Sequence, residues 1–237
     1  MARKQQPPKT RPGIPPSLPD TAKKTRIFIW VLLTVLIGLG LIWYSVFTLG
    51  KPAPTADRPA AEAQLVREDS HRTTSPVTEK AQLVEFLDFE CEACRTAQPI
   101  IEELEKEYGD RVTFIHRYFP LPAHRNSAAA ALAVEAAAQQ GKYQQMYTKM
   151  FETEPQWGNK QESQALVFRT FAQELGLDLA AYDDTVTDDR TKERVKEDIA
   201  DGTALGVTGT PTFFLNGTKI PLETKEQLRQ LLAEAVK

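Results

Sequence analysis

Both cysteines of this 237-residue chain fall in one short segment, Glu90-Cys91-Glu92-Ala93-Cys94. A structural disulfide closing so short a loop would stabilise little, because the entropic gain grows with loop length. A closed zinc site needs four ligands. No second Cys pair exists, and His71, His116 and His124 lie at no ligand spacing to one another or to the cysteines. They read as satisfied or surface histidines. Thiolates also bind Cu(I), which keeps a copper-carrying module open, although Met1, Met146 and Met150 all lie away from the pair. Dithiol redox chemistry fits the placement best. The apolar run QLVEFLDF ends just before Cys91 and a helical pattern begins at it. At a helix N-terminus, unpaired N–H groups and the macrodipole favour a Cys91 thiolate, the attacking sulfur. Cys94 is one turn further in, where it is shielded and can resolve a mixed disulfide. Glu90 and Glu92 pull the other way: a carboxylate ~6 Å away in water opposes the thiolate by roughly 0.7 kcal/mol.

The elements that would hold this pair can be read from periodicity. Residues 82–89 are a strand candidate, and a helix from Cys91 to about Tyr108 is closed by Gly109-Asp110. VTFIHRY at 112–118 is a second strand. Helical text follows over 127–140, 142–151, 162–175 and 188–204. Strands return at 212–215 and 218–220 around an Asn216-Gly217 turn, strong hairpin chemistry, and an amphipathic helix spans 224–236. The order predicts an α/β fold, a sheet covered by helices on both faces with a helical block inserted. The charge runs at 102–107 and 188–198 read as solvated helix faces.

The segments LVEFLDFECEAC, with Pro99, and GVTGTPTFFLNG resemble thioredoxin-fold proteins, and FIHRYFPLPAHRNSAAAALAVEAAAQQGKYQQMY is similar to the DsbA-type branch. The resemblance covers roughly 77–237. It implies a thioredoxin fold with a helical domain inserted at about 124–204, and thiol-disulfide oxidoreductase activity without a cofactor. It makes Cys91 the nucleophile and Cys94 the resolving thiol. Pro211 matches the family's cis-proline, with Thr210 before it offering backbone to an extended substrate. A plain strand-entry proline is the other reading of Pro211. Glu85 corresponds to a buried acid behind the disulfide, able to exchange a proton with Cys94, although alternation leaves a solvent-facing Glu85 open. Pro99 matches a helix-kinking proline. Glu92-Ala93 departs from the Pro-His of the strongest oxidants, which leaves the direction of catalysis open: disulfide formation, or reduction and isomerisation.

Ahead of this domain the composition changes twice. Residues 1–26 carry seven basic residues against one acid, a Pro-rich tail of charge +6 that leaves −9 for the rest of the chain. Residues 27–50 are 24 positions without Asp, Glu, Lys or Arg, long enough as a helix (~36 Å) to cross a ~30 Å hydrocarbon core. The basic flank sets a cytoplasmic N-terminus and places the chain beyond residue 50 outside the cell membrane. A cleaved signal peptide is the rival, though its apolar region is usually 7–15 residues. Residues 51–76 read as a flexible linker. The expected partners are reduced or unfolded exported proteins, a membrane redox partner that reoxidises the pair, and the bilayer. A net charge of −3 gives no pull toward nucleic acid.

Overall fold

The computed structural model describes residues 29–30, 32–38, 62–221 and 224–237. The chain divides into two units, Met1–Ala53 and Pro54–Lys237. In the first, residues 29–30 and 32–38 are helical, with Ile29, Trp30, Leu32, Leu33, Val35, Leu36 and Ile37 exposed. Most of the expected span over 27–50 lies outside the described residues, and among those described no helix is long and apolar enough to cross a membrane.

The second unit is built on five strands: β1 (His71–Arg72), β2 (Ala81–Leu87), β3 (Val112–Tyr118), β4 (Thr212–Leu215) and β5 (Thr218–Ile220), in the order β1-β3-β2-β4-β5. β2 and β3 run parallel and the other pairings are antiparallel. A parallel pair needs a crossover; helix α1 (Glu92–Tyr108) supplies it. β2 and β3 are covered on both faces, which is why they read as near-continuous apolar text. On one face, Leu83, Phe114 and Phe213 pack on Ile101 and Leu104 of α1 and on Leu228 and Leu232 of α7 (Lys225–Ala235). On the other, Val84, Phe86, Ile115 and Phe214 form a core with Phe119 and Val207. Glycine at position 202 is required there, since a Cβ would meet the rings of Phe119 and Phe86 at 2.8–2.9 Å.

Between β3 and β4 lie helices α2 (Ser127–Ala138), α3 (Tyr143–Trp157), α4 (Ala165–Glu174), α5 (Leu179–Thr187) and α6 (Asp189–Ala204). Helix α2 is the hub. Ala130, Ala131, Ala133, Val134, Ala136 and Ala137 are all buried, with Glu135 the one buried charge among them, so small side chains admit neighbours closely on several sides. This is the α/β fold with a helical insertion that the sequence predicts, and the Asn216-Gly217 hairpin turn is present with positive φ at both residues.

Four local expectations need correction. Helix α5 falls where the sequence pattern predicts no element; Asp178 caps it by accepting from the amides of Ala180 and Ala181, a signal available in the sequence. Helix α3 continues past Phe151 through Pro155 to Trp157. The expected linker ends early: residues from 62 onward belong to the domain, with β1 on the edge of the sheet and Arg67 bonded to Asp201 at 2.5 Å. A two-residue strand and one ion pair leave no periodicity to detect. Finally, the acidic run on α6 is not wholly solvated. Asp198 and Asp201 are buried, meeting the guanidinium of fully buried Arg117 at 2.7 and 2.8 Å. Arg117 also donates to the carbonyls of Gln64 and Leu65, which ties down the segment leading into β1.

Candidate active site

The carboxyl end of β2 delivers the chain to Cys91, the N-cap of α1. Its sulfur therefore stands over the first amides of the helix. Cys94 is on the inward face of α1, in line with Gln98, Ile101, Leu104 and Tyr108, and is buried completely, while Cys91 keeps 8 % of its surface. Both are free thiols. The Thr210–Pro211 bond is cis and Thr210 lies against the pair, with its carbonyl 3.3 Å from Cys91 Sγ. The neutral thiol donates to that carbonyl. Once the proton has gone, the Thr210 hydroxyl, buried and otherwise unpartnered, favours the anion.

The electrostatics separate the two sulfurs. Cys91 is held at about 5, first by the Cys94 thiol donating to it, then by Thr210 and the amides of Cys94 and Ala93, against a desolvation penalty. Cys94 is pushed well above the ordinary thiol range by burial, by its bond to Cys91 and by the charge of Glu85. One sulfur is thus a thiolate at neutral pH, and the other keeps its proton until something removes it. The opposition expected from Glu90 and Glu92 is blunted by geometry. Glu90 turns its carboxylate to the amides of Asn126 (2.6 Å) and Asn159 (2.9 Å), and Glu92 is exposed and meets Arg95 at 3.4 Å.

Behind the pair, Glu85 points inward from β2, 4 % exposed, which decides the ambiguity that alternation leaves. Burial raises it to about 8, with help from the charges of Glu105 and Cys91. Its Oε2 has no hydrogen-bond partner. Beside the cysteines, a cleft of about 430 Å³ runs between Ala93, Ala97, Ile100, Pro211, Phe213 and Ile220, with Thr96, Thr212, Lys219 and Thr224 also on its walls. The sequence places Cys91, Cys94, Glu85, Thr210 and Pro211 here, and the fold brings all five together. Sequence reasoning misses Asp88, whose carboxylate accepts from the amides of Glu90 and Leu121 and meets His124 Nδ1 at 2.7 Å. That bracket fixes the loop carrying Cys91, and only its position three residues before the motif hints at it. Pro99 lies inside α1. His116 is buried behind Glu85, and His71 bonds Glu135 at 2.8 Å. Among the described residues no group of three or more His, Cys, Asp or Glu is arranged to hold a metal.

Comparison with known proteins agrees with this geometry. A family model described as Thioredoxin matches residues 78–234. Among solved structures, Wolbachia pipientis alpha-DsbA1 superposes with a TM-score of 0.64 at 17 % identity, over 72 % of this chain and 92 % of that one. BdbD from Bacillus subtilis gives 0.60 at 18 %, over 69 % and 91 %. The catalytic domain of Proteus mirabilis ScsC gives 0.59 at 20 %, over 73 % and 93 %. These likenesses establish the fold. A curated relative, the Na(+)/H(+) antiporter NhaA 1 of Mycobacterium sp. (strain KMS), is 35 % identical over 158 residues, 64 % of this chain. The chain spans about a quarter of that relative's length, 24 %. With a family model matching two-thirds of its length and a DsbA-like architecture around a CxxC pair, the chain belongs to the thioredoxin family.

Proposed function

We propose that the protein is a membrane-anchored thiol-disulfide oxidoreductase that forms disulfides in exported proteins. The observation that carries this reading is the asymmetry of the pair: Cys91 at the helix N-cap, keeping 8 % of its surface and stabilised as thiolate, and a fully buried Cys94 that is not. Stabilising the Cys91 thiolate stabilises the reduced enzyme, which makes its disulfide the better oxidant. A substrate thiolate attacks Cys91 Sγ, the Cys91–Cys94 bond breaks, and the electron pair leaves on Cys94. A second substrate thiol then displaces Cys91 as thiolate. An extended substrate pairs with the backbone at Thr210 and lays an apolar side chain in the neighbouring cleft.

Support for the anchor comes from the uncharged 24-residue run behind a +6 tail and from the exposed apolar side chains of its helical residues. A tether in the membrane raises the effective concentration of a membrane oxidant that recharges the pair. The reduction potential tests the direction. A value well above thioredoxin's, roughly −270 mV, is expected; a value at or below it assigns a reductase or isomerase instead. Oxidative refolding of a reduced substrate protein must be faster with the wild type than with Cys91→Ser. Equal rates would remove the enzymatic reading.

A further inference from the structure

Cys94 has no route to water of its own, being fully buried, and neither has Glu85 behind it. Every turnover must nevertheless put a proton on Cys94 or take one off. The residue facing Glu85 on the side away from the cysteines is His116. The two are direct partners in the β2–β3 register, so their side chains leave the sheet on the same face. His116 Nε2 stands 3.8 Å from Glu85 Oε2 and 4.0 Å from Glu105 Oε1. Neither Nε2 nor Glu85 Oε2 has a hydrogen-bond partner, although both are buried. Unpaired buried polar atoms are costly, and two of them face to face call for an explanation. The gap between them, walled by Leu83, Ile101, Phe114 and Phe213, leaves no room for a water molecule. It closes when the side chains approach by about 1 Å to normal hydrogen-bond length.

The other side of His116 opens outward. Glu105 accepts from Thr73 and lines a wide surface cleft of about 840 Å³ together with Tyr143 and Lys106. His116 Nδ1 is fixed by Tyr143 Oη at 2.9 Å, and its ring stacks on Tyr147 at 4.7 Å. The ring is therefore held flat, with Nε2 aimed between two carboxyl groups.

We propose that Glu85, His116 and Glu105 form a proton relay that connects buried Cys94 to solvent in the cleft between α1, α3 and the end of β1. It rests on the exchange chemistry proposed above and extends it. When the enzyme's own disulfide forms, Glu85 gives its proton to His116 Nε2, which passes it to Glu105 and water. Glu85 then takes the Cys94 proton. The Cys94 thiolate attacks Cys91 Sγ, an S–S bond forms, and the sulfur previously bound to Cys91 leaves as thiolate. When a substrate is oxidised, the transfer runs inward: Glu85 protonates the Cys94 thiolate released by attack at Cys91, and the relay reloads Glu85. His116 and Glu105 are positioning residues acting through Glu85.

The titratable groups around His116 are His71 on β1, Glu85 on β2, Glu105 on α1, and Tyr143 and Tyr147 on α3, with Glu102 of α1 acting on Tyr147 in turn. Burial and the neighbouring His71 hold the ring at about 3, so it rests neutral and can take a proton only in passing.

The test uses the full chain, reduced and then treated with glutathione disulfide to form the Cys91–glutathione adduct. The rate at which Cys94 releases glutathione is followed by acid quench from pH 5 to 9.5. His116→Phe, which keeps the stacking, and Glu105→Gln, at the cleft wall, are each expected to slow release tenfold or more at pH 7. The deficit should vanish above pH 9, where Glu85, at about 8, is already ionised. The Cys91 thiolate titration should not move. Wild-type rates and pH profile in Glu105→Gln overturn the relay while leaving the exchange reading intact, even if His116→Phe does not fold. A deficit in both variants that is uniform with pH, or that travels with a shifted Cys91 titration, also overturns it. If wild type and Cys91→Ser are equally inert toward glutathione disulfide, the exchange reading fails and the relay with it.

Discussion

Cys91 releases its proton readily because donors converge on its sulfur: the Cys94 thiol, Thr210 and two helix-start amides. Removing the largest of these with Cys94→Ala should raise Cys91 from about 5 by at least one unit, read from thiolate absorbance near 240 nm. The same depression links redox state to stability. A group whose folded-state pKa is lowered adds stability that is complete above its unfolded value, roughly 8.5, and lost as pH falls through the folded one. The stability of the reduced relative to the oxidised protein should therefore shrink from pH 9 to pH 4, measurable as converging melting temperatures. Glu85 has the opposite sign. Its folded-state value, about 8, lies above the ordinary carboxyl value of 4.5. Its contribution is present below that ordinary value and is lost as pH rises through 8. Glu85→Gln should match wild type in urea midpoint at pH 5 and exceed it at pH 9, at the expense of a slower Cys94 step at pH 7.

Elements meet through a few buried polar anchors as well as through the apolar core. Glu90 holds the amide of Asn126, the N-cap of α2, and the amide of Asn159 in the turn after α3; Asn126 in turn bonds the carbonyls of Lys160 and Glu162. Glu90→Ala leaves those amides unpaired, at roughly 1–3 kcal/mol for each buried donor, and the loss should show as a lower urea midpoint. Arg117 is a second anchor. Breaking a buried ion pair by removing one partner costs about 3–5 kcal/mol, so Arg117→Leu, which leaves Asp198 to Arg194 and Asp201 to Arg67, should lower the unfolding free energy by up to that order. The segment before β2 matters for the same reason. It supplies Arg67 to Asp201 and His71 to Glu135. A piece cut to residues 78–234 should melt several degrees below one that begins at residue 62.

Across the whole molecule, charge and hydropathy divide the chain into a basic tail, an uncharged run and an acidic remainder. If the run is an anchor, the full chain should sediment with membranes and resist carbonate extraction. The unit from residue 54 onward should stay in solution with unchanged exchange rates toward small disulfides. Release of the intact chain by carbonate would remove the anchor from the proposal.

Much of this is legible from residue type and spacing. CxxC at a strand–helix junction locates the dithiol, with Cys91 at the helix N-cap and Cys94 buried one turn further in. The parallel strands show as short runs rich in apolar and β-branched residues, and burial on both faces is why alternation cannot place Glu85. Asn216-Gly217 fixes the last hairpin through its tolerance of positive φ. Distances across the fold are another matter. Asp198 and Asp201 look like any acidic helix face until Arg117, more than eighty residues earlier, is brought against them by the fold. Glu90 reads as a threat to the thiolate until Asn126 and Asn159 turn its charge away. His116 reads as one more strand residue, and only the register with Glu85 and the packing of α1 make it face two carboxyl groups. Residue chemistry is local and can be read along the chain. The strength and direction of a charge depend on what is near it in a medium from which water has been excluded, and only the tertiary structure determines that.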